Sequence, residues 1–184
     1  MLSENEKREL LGFARGAIAE ALSSSPGMPV DREGHAGRLD EPGGAFVTIR
    51  IGRQLRGCIG YIESDRSLRE VVAEVAPKAA LEDPRFPPLS LQELQEATLE
   101  ISILSPLHRI AHPEEVIVGT HGVLIEGGLH RGLLLPQVAT EYRWGRDEFL
   151  DNTARKAGLP RDAWKDPAAR IFIFSAEIIT EEHR

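Results

Sequence analysis

Two pairs of apolar segments, each joined by a glycine-containing turn, restrict the folds open to this chain. Residues 46–51 alternate in hydrophobicity and are rich in β-branched side chains, and residues 55–62 resume the pattern after a turn at Gly52. The second pair consists of residues 121–125 and 131–135, joined across Gly127-Gly128. Hairpins require antiparallel pairing, and helical patterns lie between these two. We therefore predict an α+β fold with mainly antiparallel sheets and flanking helices.

Three serines mark the starts of predicted helices, because each is followed three residues later by glutamate, the pattern of a capping box. The boxes begin at Ser3, Ser67 and Ser90. Apolar residues at helical spacing predict helices over about residues 3–22 and 68–81, and a shorter helix follows Ser90. The other predicted elements are a strand over Thr98–Leu104, a short helix over Val138–Trp144, an amphipathic helix stopped by Gly158 and a closing strand over Ile171–Ile179.

Two segments without regular patterns are candidates for contributing to a ligand site. Ser23–Gly44 is rich in glycine, proline, serine and charge, so we predict a long loop there. Prolines at 84, 87 and 88 predict a stiff, extended segment around Arg85, because residues that precede proline avoid the helical conformation. Such stiffness favours a fixed orientation for the Arg85 side chain.

Composition and charge exclude several classes of protein. The chain has 184 residues, enough for one core or two small lobes, and its apolar runs are far shorter than the roughly 20 residues of a membrane helix. A net charge of −7 disfavours nucleic acid as a partner but is compatible with a small anionic ligand. The single cysteine cannot form an intramolecular disulfide, and the first residues lack a secretory pattern. We expect a cytoplasmic protein.

The segment Leu55–Tyr61 carries that cysteine, Cys58, between Gly57 and Gly60. Glycine inside a strand packs no side chain and costs conformational entropy, so the pair predicts a bulge or close approach by another backbone or a ligand. A period of two places Arg56, Cys58 and Gly60 on one face of the strand. If the apolar residues between them face the core, Cys58 faces a cleft.

Cys58 has two interpretations. It could be a nucleophile, with Arg56 or Arg85 as a neighbouring cation and His121 as the base. It could instead be a small, half-buried hydrophobic residue, since free cysteines are among the residues most often buried. Cys58 and His121 are therefore candidate catalytic residues, and rapid alkylation near neutral pH would favour the first interpretation.

The arginines near Cys58 also have two interpretations. Arg56 and Arg85 could bind a carboxylate or phosphate, because a guanidinium group suits anions with two oxygens. They could instead form ion pairs with nearby carboxylates, of which the candidates are Glu63, Glu82 and Asp83. The candidate ligand-binding residues are Arg56, Gly57, Gly60, Arg85 and Phe86. His108 and His112 are four apart, but no thiol or carboxylate completes a set, so we expect no metal and no cofactor.

Several segments carry a resemblance that covers nearly the whole chain. They are Leu55-Arg56-Gly57-Cys58-Ile59-Gly60, Arg85-Phe86-Pro87-Pro88-Leu89, Leu99 to Pro106, His121-Gly122, Leu135-Pro136-Gln137-Val138-Ala139, Phe149-Leu150, Lys156-Ala157-Gly158-Leu159 and Trp164. In this order they resemble the AMMECR domain family, whose bacterial and archaeal members are called AmmeMemoRadiSam system protein A. The resemblance implies one domain over residues 1–184, undivided or built from two interleaved subdomains, with two unequal lobes around a cleft. It also implies a Memo-like protein and a radical-SAM protein as partners, and no settled reaction.

Two functional hypotheses follow. In the first, the chain binds a small molecule or acts as an enzyme through a cleft around Leu55–Gly60, on an intermediate shared with the Memo-like and radical-SAM partners. In the second, it is a non-catalytic interaction module whose groove receives a peptide by backbone pairing beside Gly57 and Gly60. The sequence leaves open whether the protein is an enzyme, which ligand or partner it binds and what its oligomeric state is.

Overall fold

The computed structural model describes residues 1–23 and 37–181. Within these ranges the chain forms five α-helices, eight strands and three short 3₁₀ turns. The helices are α1 (Glu4–Leu22), α2 (Leu68–Leu81), α3 (Leu91–Glu96), α4 (Pro136–Glu141) and α5 (Arg146–Lys156). The strands are β1 (Ala45–Ile51), β2 (Gln54–Tyr61), β3 (Ala97–Leu104), β4 (His108–Ile110), β5 (Gly122–Gly127), β6 (His130–Leu134), β7 (Arg170–Phe174) and β8 (Ala176–Thr180). None of the helices in the described ranges is long and apolar enough to cross a membrane.

The three predicted capping boxes begin the first three helices. In each box the serine hydroxyl accepts the N–H of the glutamate three residues later, and that glutamate's carboxylate accepts the serine N–H. These bonds satisfy N–H groups that have no partner inside the helix, and such a cap contributes about 1 kcal/mol. The predicted bounds of α2 are confirmed, and α1 begins one residue after the predicted start.

The chain divides into two compact units, each with a four-stranded antiparallel sheet, and the predicted α+β class is confirmed. The first unit comprises the described residues of Met1–Leu104 together with residues 177–181. The second unit is Ser105–Ala176. The second is therefore inserted, in sequence, between β3 and β8 of the first.

The first unit packs α1 and α2 on one face of its sheet, whose strand order is β2-β1-β3-β8. Alternate residues of the central strands face these helices and are fully buried: Val47 and Ile49 in β1, and Leu99 and Ile101 in β3. Burial of each such side chain contributes roughly 1.5–3 kcal/mol. The strand predicted over Thr98–Leu104 is confirmed as β3, which begins one residue earlier, at Ala97.

The second unit has the strand order β4-β7-β5-β6, and α5 packs against its hairpin of β5 and β6. Phe149 and Leu150 of α5 and Ile125 of β5 are fully buried and belong to a separate apolar core. Gly158 ends α5 in a left-handed conformation, with φ of 76°, as the sequence predicts. The second predicted hairpin is confirmed, with a two-residue turn of Gly128 and Leu129.

The single closing strand predicted over Ile171–Ile179 is wrong. The segment forms two strands, β7 in the second sheet and β8 in the first. Ser175 separates them: its N–H donates to Ser105 Oγ at 2.9 Å, and its carbonyl accepts the Ser105 N–H at 2.9 Å. Both halves have strand-like patterns, so the pattern alone did not reveal the break.

The helix predicted over Val138–Trp144 is displaced, because α4 begins at Pro136 and ends at Glu141. Proline suits the first turn of a helix, where its missing N–H has no intrahelical partner. The other end is closed by the Trp144 N–H, which donates to the Ala139 carbonyl at 2.8 Å.

Part of the loop predicted over Ser23–Gly44, namely residues 24–36, lies outside the described residues. The described part contains a 3₁₀ turn at Arg38–Asp40. Leu39 of this turn is 2% exposed and belongs to the core of the first unit. The described end of the segment is therefore anchored by an apolar side chain.

Candidate functional site

β2, which carries Cys58, is an edge strand of the first sheet and contains a bulge. It pairs antiparallel with β1, as predicted. Two consecutive β1 residues, Ile49 and Arg50, pair with Gly57 and Leu55 of β2, which are two positions apart. Arg56 is thus the extra residue on β2, and the predicted irregularity beside Gly57 is confirmed.

Cys58 lies on the sheet face opposite the two packed helices. Its partner across the strands is Thr48, whereas Val47, which faces the helical core, pairs with Ile59. The Cys58 side chain is half-buried, and Thr48 Oγ1 donates a hydrogen bond to its Sγ at 3.3 Å. Thr48 is only 5% exposed, so its hydroxyl has a fixed role in orienting the thiol. Cys58 is not part of the apolar core.

The two glycines beside Cys58 make room for atoms of the fold itself. A Cβ at Gly57 would lie 2.0 Å from the carbonyl oxygen of Ala79, because α2 packs directly on this strand. A Cβ at Gly60 would lie 2.5 Å from Cγ of Phe46 on the neighbouring strand. Both contacts are far closer than any real Cβ tolerates, so close backbone and side-chain packing explains both glycines.

Asp83 holds the backbone of Cys58 from outside the sheet. The Cys58 N–H donates to Oδ2 of Asp83 at 2.9 Å, so this amide points away from β1. The Asp83 side chain is 3% exposed. Hydrogen bonds from the Arg85 side chain and from the Cys58 N–H lower the pKa of this carboxyl to about 2, so it is ionised at neutral pH.

Arg85 binds the same carboxylate through two nitrogens. Its Nε donates to Oδ1 of Asp83 at 2.9 Å and its Nη2 to Oδ2 at 2.7 Å, while Nη2 also lies 3.5 Å from the Cys58 carbonyl oxygen. The guanidinium carbon lies 5.4 Å from the ring centre of Phe86, which is half-buried. The ion pair with Asp83 was among the predicted possibilities for Arg85. Even so, 55% of the Arg85 side chain remains exposed.

Arg56 tethers the segment that follows Arg85. Its Nη1 donates to the carbonyl of Pro87 at 2.7 Å, and Nη2 donates to that of Pro88 at 3.2 Å. Its ion-pair partner is Glu93, at 2.8 Å, rather than any of the carboxylates predicted for it. Hydrogen bonds from Arg56 and from the backbone of Ser90 lower the pKa of Glu93 to about 2. Arg56 is 13% exposed, and these contacts make it a structural anchor.

His121, the other candidate catalytic residue, lies in the second unit, whereas Cys58 lies in the first. Its Nδ1 accepts the N–H of Ile117 at 3.2 Å, which in the neutral imidazole leaves the hydrogen on Nε2. Gly122 beside it makes room for the ring of Phe174, which would lie 2.2 Å from a Cβ. A role for His121 as the base of Cys58 stays a prediction.

Six of the predicted site residues are therefore grouped on β2 and the segment after α2, while His121 is not in their unit. They are Arg56, Gly57, Cys58, Gly60, Arg85 and Phe86. Sequence analysis missed Thr48 and the binding role of Asp83. The pattern Asp83-Pro84-Arg85 was the available signal, because an aspartate often accepts the N–H two residues later, as it does here at 3.1 Å. Among residues 1–23 and 37–181, no group of three or more His, Cys, Asp and Glu side chains could hold a metal ion.

Comparison with known proteins places the chain in a family. The AMMECR1 family model matches residues 11–179. A protein of Methanothermobacter thermautotrophicus is 41% identical, with 98% of this chain and 97% of that protein covered, and one of Thermococcus gammatolerans is 42% identical, with 95% and 89% covered. The crystal structure of uncharacterised protein PH0010 from Pyrococcus horikoshii superposes with a TM-score of 0.92 at 36% identity, covering 99% of this chain and 94% of that one. The chain belongs to the AMMECR1 family.

Proposed function

We propose that this protein binds a small molecule carrying a carboxylate or phosphate beside Cys58, and that Arg85 is the anion-binding group. One observation carries the proposal: Arg85 is held by a buried carboxylate, yet more than half of its side chain stays in solvent next to the Cys58 backbone. Arg56, by contrast, is only 13% exposed and is enclosed by its partners.

The donors that remain on Arg85 suit an anion. Asp83 binds the guanidinium edge formed by Nε and Nη2. Among the described residues, Nη1 has no hydrogen-bond partner, so its two N–H groups are available to a ligand. Guanidinium is charged at every physiological pH, and the two N–H groups of Nη1 can donate charge-assisted hydrogen bonds to an oxygen of a carboxylate or phosphate.

The thiol supplies the second feature of the proposed site. Cys58 is half-buried, lies outside the apolar core and is oriented by Thr48. A ligand held at Arg85 would lie next to the backbone of Cys58 and would limit access to its sulfur. In this proposal Cys58 is the reactive group, and the ligand is an intermediate shared with the Memo-like and radical-SAM proteins that the family resemblance implies.

The geometry favours this function over the interaction module. A peptide that added to the edge of β2 would need the outward N–H of Cys58. That N–H already donates to Asp83, and the neighbouring carbonyl lies within reach of Arg85. Strand addition at Cys58 would have to displace the buried Asp83 carboxylate, whereas a small anion at Arg85 would not.

The test measures protection of Cys58 from alkylation. Folded protein is treated with iodoacetamide, with inorganic phosphate or with chloride at equal ionic strength, and labelling of the only cysteine is followed by mass spectrometry. We expect phosphate to slow labelling of the wild type and of Arg38→Gln, but not of Arg85→Gln. Arg38 is a matched control, being 51% exposed and paired with a carboxylate in the same unit. Equal protection of Arg85→Gln and wild type would contradict the proposal.

A further inference from the structure

Asp83 connects the two groups of the proposed site through a single carboxylate. Oδ2 accepts the Cys58 N–H at 2.9 Å and Arg85 Nη2 at 2.7 Å. Oδ1 accepts the backbone N–H of Arg85 at 3.1 Å and its Nε at 2.9 Å. Four donors therefore converge on a side chain that is 3% exposed. The peptide plane of Cys58 and the guanidinium plane of Arg85 are fixed relative to each other.

We propose that Asp83 is the positioning residue of this site, an inference that rests on the proposed function. It orients the unoccupied Nη1 donors of Arg85 beside Cys58 before a ligand binds. Asp83 itself is nearly excluded from solvent, and its ionised carboxylate has no donor to offer an anion, so it acts through Arg85 rather than on the ligand.

The chain around Asp83 is built to keep this carboxylate in place. Pro84 restricts the backbone directly after it, and the Phe86 N–H donates to the Asp83 carbonyl at 3.1 Å, which closes a turn. The Leu89 N–H donates to the Ala80 carbonyl at 2.8 Å, which joins the far end of the segment to α2. The ordering of Arg85 therefore occurs on folding, and a ligand would not lose affinity by imposing it.

Positioning and simple electrostatics predict opposite effects for Asp83→Asn. Removal of a negative charge beside Arg85 should strengthen phosphate binding if only charge matters. Loss of the bidentate ion pair should weaken binding if orientation matters, because asparagine offers one acceptor oxygen and no charge. The direction of the change separates the two.

The experiment compares the phosphate concentration that gives half-maximal protection of Cys58 from iodoacetamide in four proteins: the wild type, Asp83→Asn, Arg85→Gln and a control. We expect Asp83→Asn to raise this concentration by about tenfold relative to wild type, equivalent to one decade in affinity. The matched control is Glu74→Gln, because Glu74 also has a pKa of about 2, which its hydrogen bonds with Lys78 and Tyr61 lower, and lies in the same unit. We expect the control to stay within about twofold of wild type.

An unchanged or lower half-protection concentration in Asp83→Asn would overturn the positioning role, provided that Arg85→Gln has lost protection. Protection that survives in Arg85→Gln would instead overturn the anion site itself, and the positioning role with it.

A measurement on the wild type covers the case in which Asp83→Asn does not fold. The Arg85 Nε–H should exchange with water markedly more slowly than that of Arg38, whose Nε lies 3.5 Å from its carboxylate. Equal exchange of the two signals would overturn the positioning role without any variant at Asp83.

Discussion

The two hairpins of this protein share a construction but differ in what their second strands do. Each has a two-residue turn that begins with a glycine of positive φ, 58° at Gly52 and 60° at Gly128, the pattern of a type II′ turn. Each second strand also contains a glycine against a helical segment. A Cβ at Gly57 would lie 2.0 Å from the Ala79 oxygen, and one at Gly132 would lie 2.3 Å from the nitrogen of Ala157.

The difference lies in the polar contacts of the two strands. β6 places Leu133 and Leu134 among the buried residues of the second unit. β2 has half-buried residues around Gly57, and its Cys58 is held by a hydroxyl on one side and a carboxylate on the other. In both hairpins, therefore, the glycine within the second strand allows a helical segment to pack closely against it. Polar anchoring of the neighbouring residue distinguishes the candidate site.

The largest expected effect is on stability, and it tests the feature that the hairpins share, a strand glycine packed against a helical segment. Gly57→Ala and Gly132→Ala should each lower the free energy of unfolding by about 3 kcal/mol, because the added methyl meets backbone atoms that can move only with a helical segment. Urea denaturation measures this. Gly12→Ala in α1 is the control: nothing lies within 4 Å of its Cβ, and alanine should stabilise the helix by about 1 kcal/mol. Substitutions at Gly57 or Gly132 that cost no more than experimental error would refute the packing explanation.

The same comparison shows how far sequence reasoning reaches. Capping boxes and glycine turns depend on residues three or four apart, so their physics is visible in the chain, and the elements they begin or join were predicted correctly. The bond from Cys58 to Asp83 joins residues 25 apart, and the ion pair of Arg56 with Glu93 joins residues 37 apart. Such contacts depend on how α2 lies across β2, which no local pattern encodes. The division at Ser175 was missed for the same reason, since its partner Ser105 is 70 residues away.

A second prediction concerns the pH dependence of stability, and it tests the anchoring of β2 by Asp83. Arg85 lowers the pKa of Asp83 from 3.8 to about 2, so the ionised form is favoured in the folded state. Its contribution is complete above the unfolded pKa of about 4 and is lost as pH falls through about 2. The stability difference between wild type and Asp83→Asn should therefore be constant from neutral pH to about pH 5 and then shrink towards pH 2. Urea midpoints across this range measure it, and a difference that persists undiminished at pH 2 would contradict the assignment.

A third prediction separates the function of Cys58 from its packing. Cys58→Ser keeps a hydrogen-bonding partner for Thr48, and residue 58 is half-buried. The free energy of unfolding should therefore change by only about 0.5–1 kcal/mol. Cys58→Ala should be similar, because a small side chain at a half-buried position leaves little cavity. If the thiol is the reactive group, both variants should lose activity in an assay that combines the protein with the proposed Memo-like and radical-SAM partners, while their melting temperatures stay close to that of the wild type. Full activity in both would end that role for Cys58 and leave the anion site to be tested by Arg85 alone.

The smallest expected effect concerns Ser102, which lies on the same sheet face as Thr48 and Cys58, because it pairs with Phe46 two residues before Thr48. Its hydroxyl is fully buried and has no hydrogen-bond partner among the described residues. A buried hydroxyl without a partner is destabilising, so Ser102→Ala should leave the free energy of unfolding unchanged or raise it by up to about 1 kcal/mol. Thr48→Val serves as the matched comparison, because it removes a hydroxyl that does have a partner. It should lower the free energy of unfolding by about 1 kcal/mol. Urea denaturation of both variants measures the contrast. A loss in Ser102→Ala as large as that in Thr48→Val would show that Ser102 also has a bonding partner, and that polar anchoring on this face extends from β2 to β3.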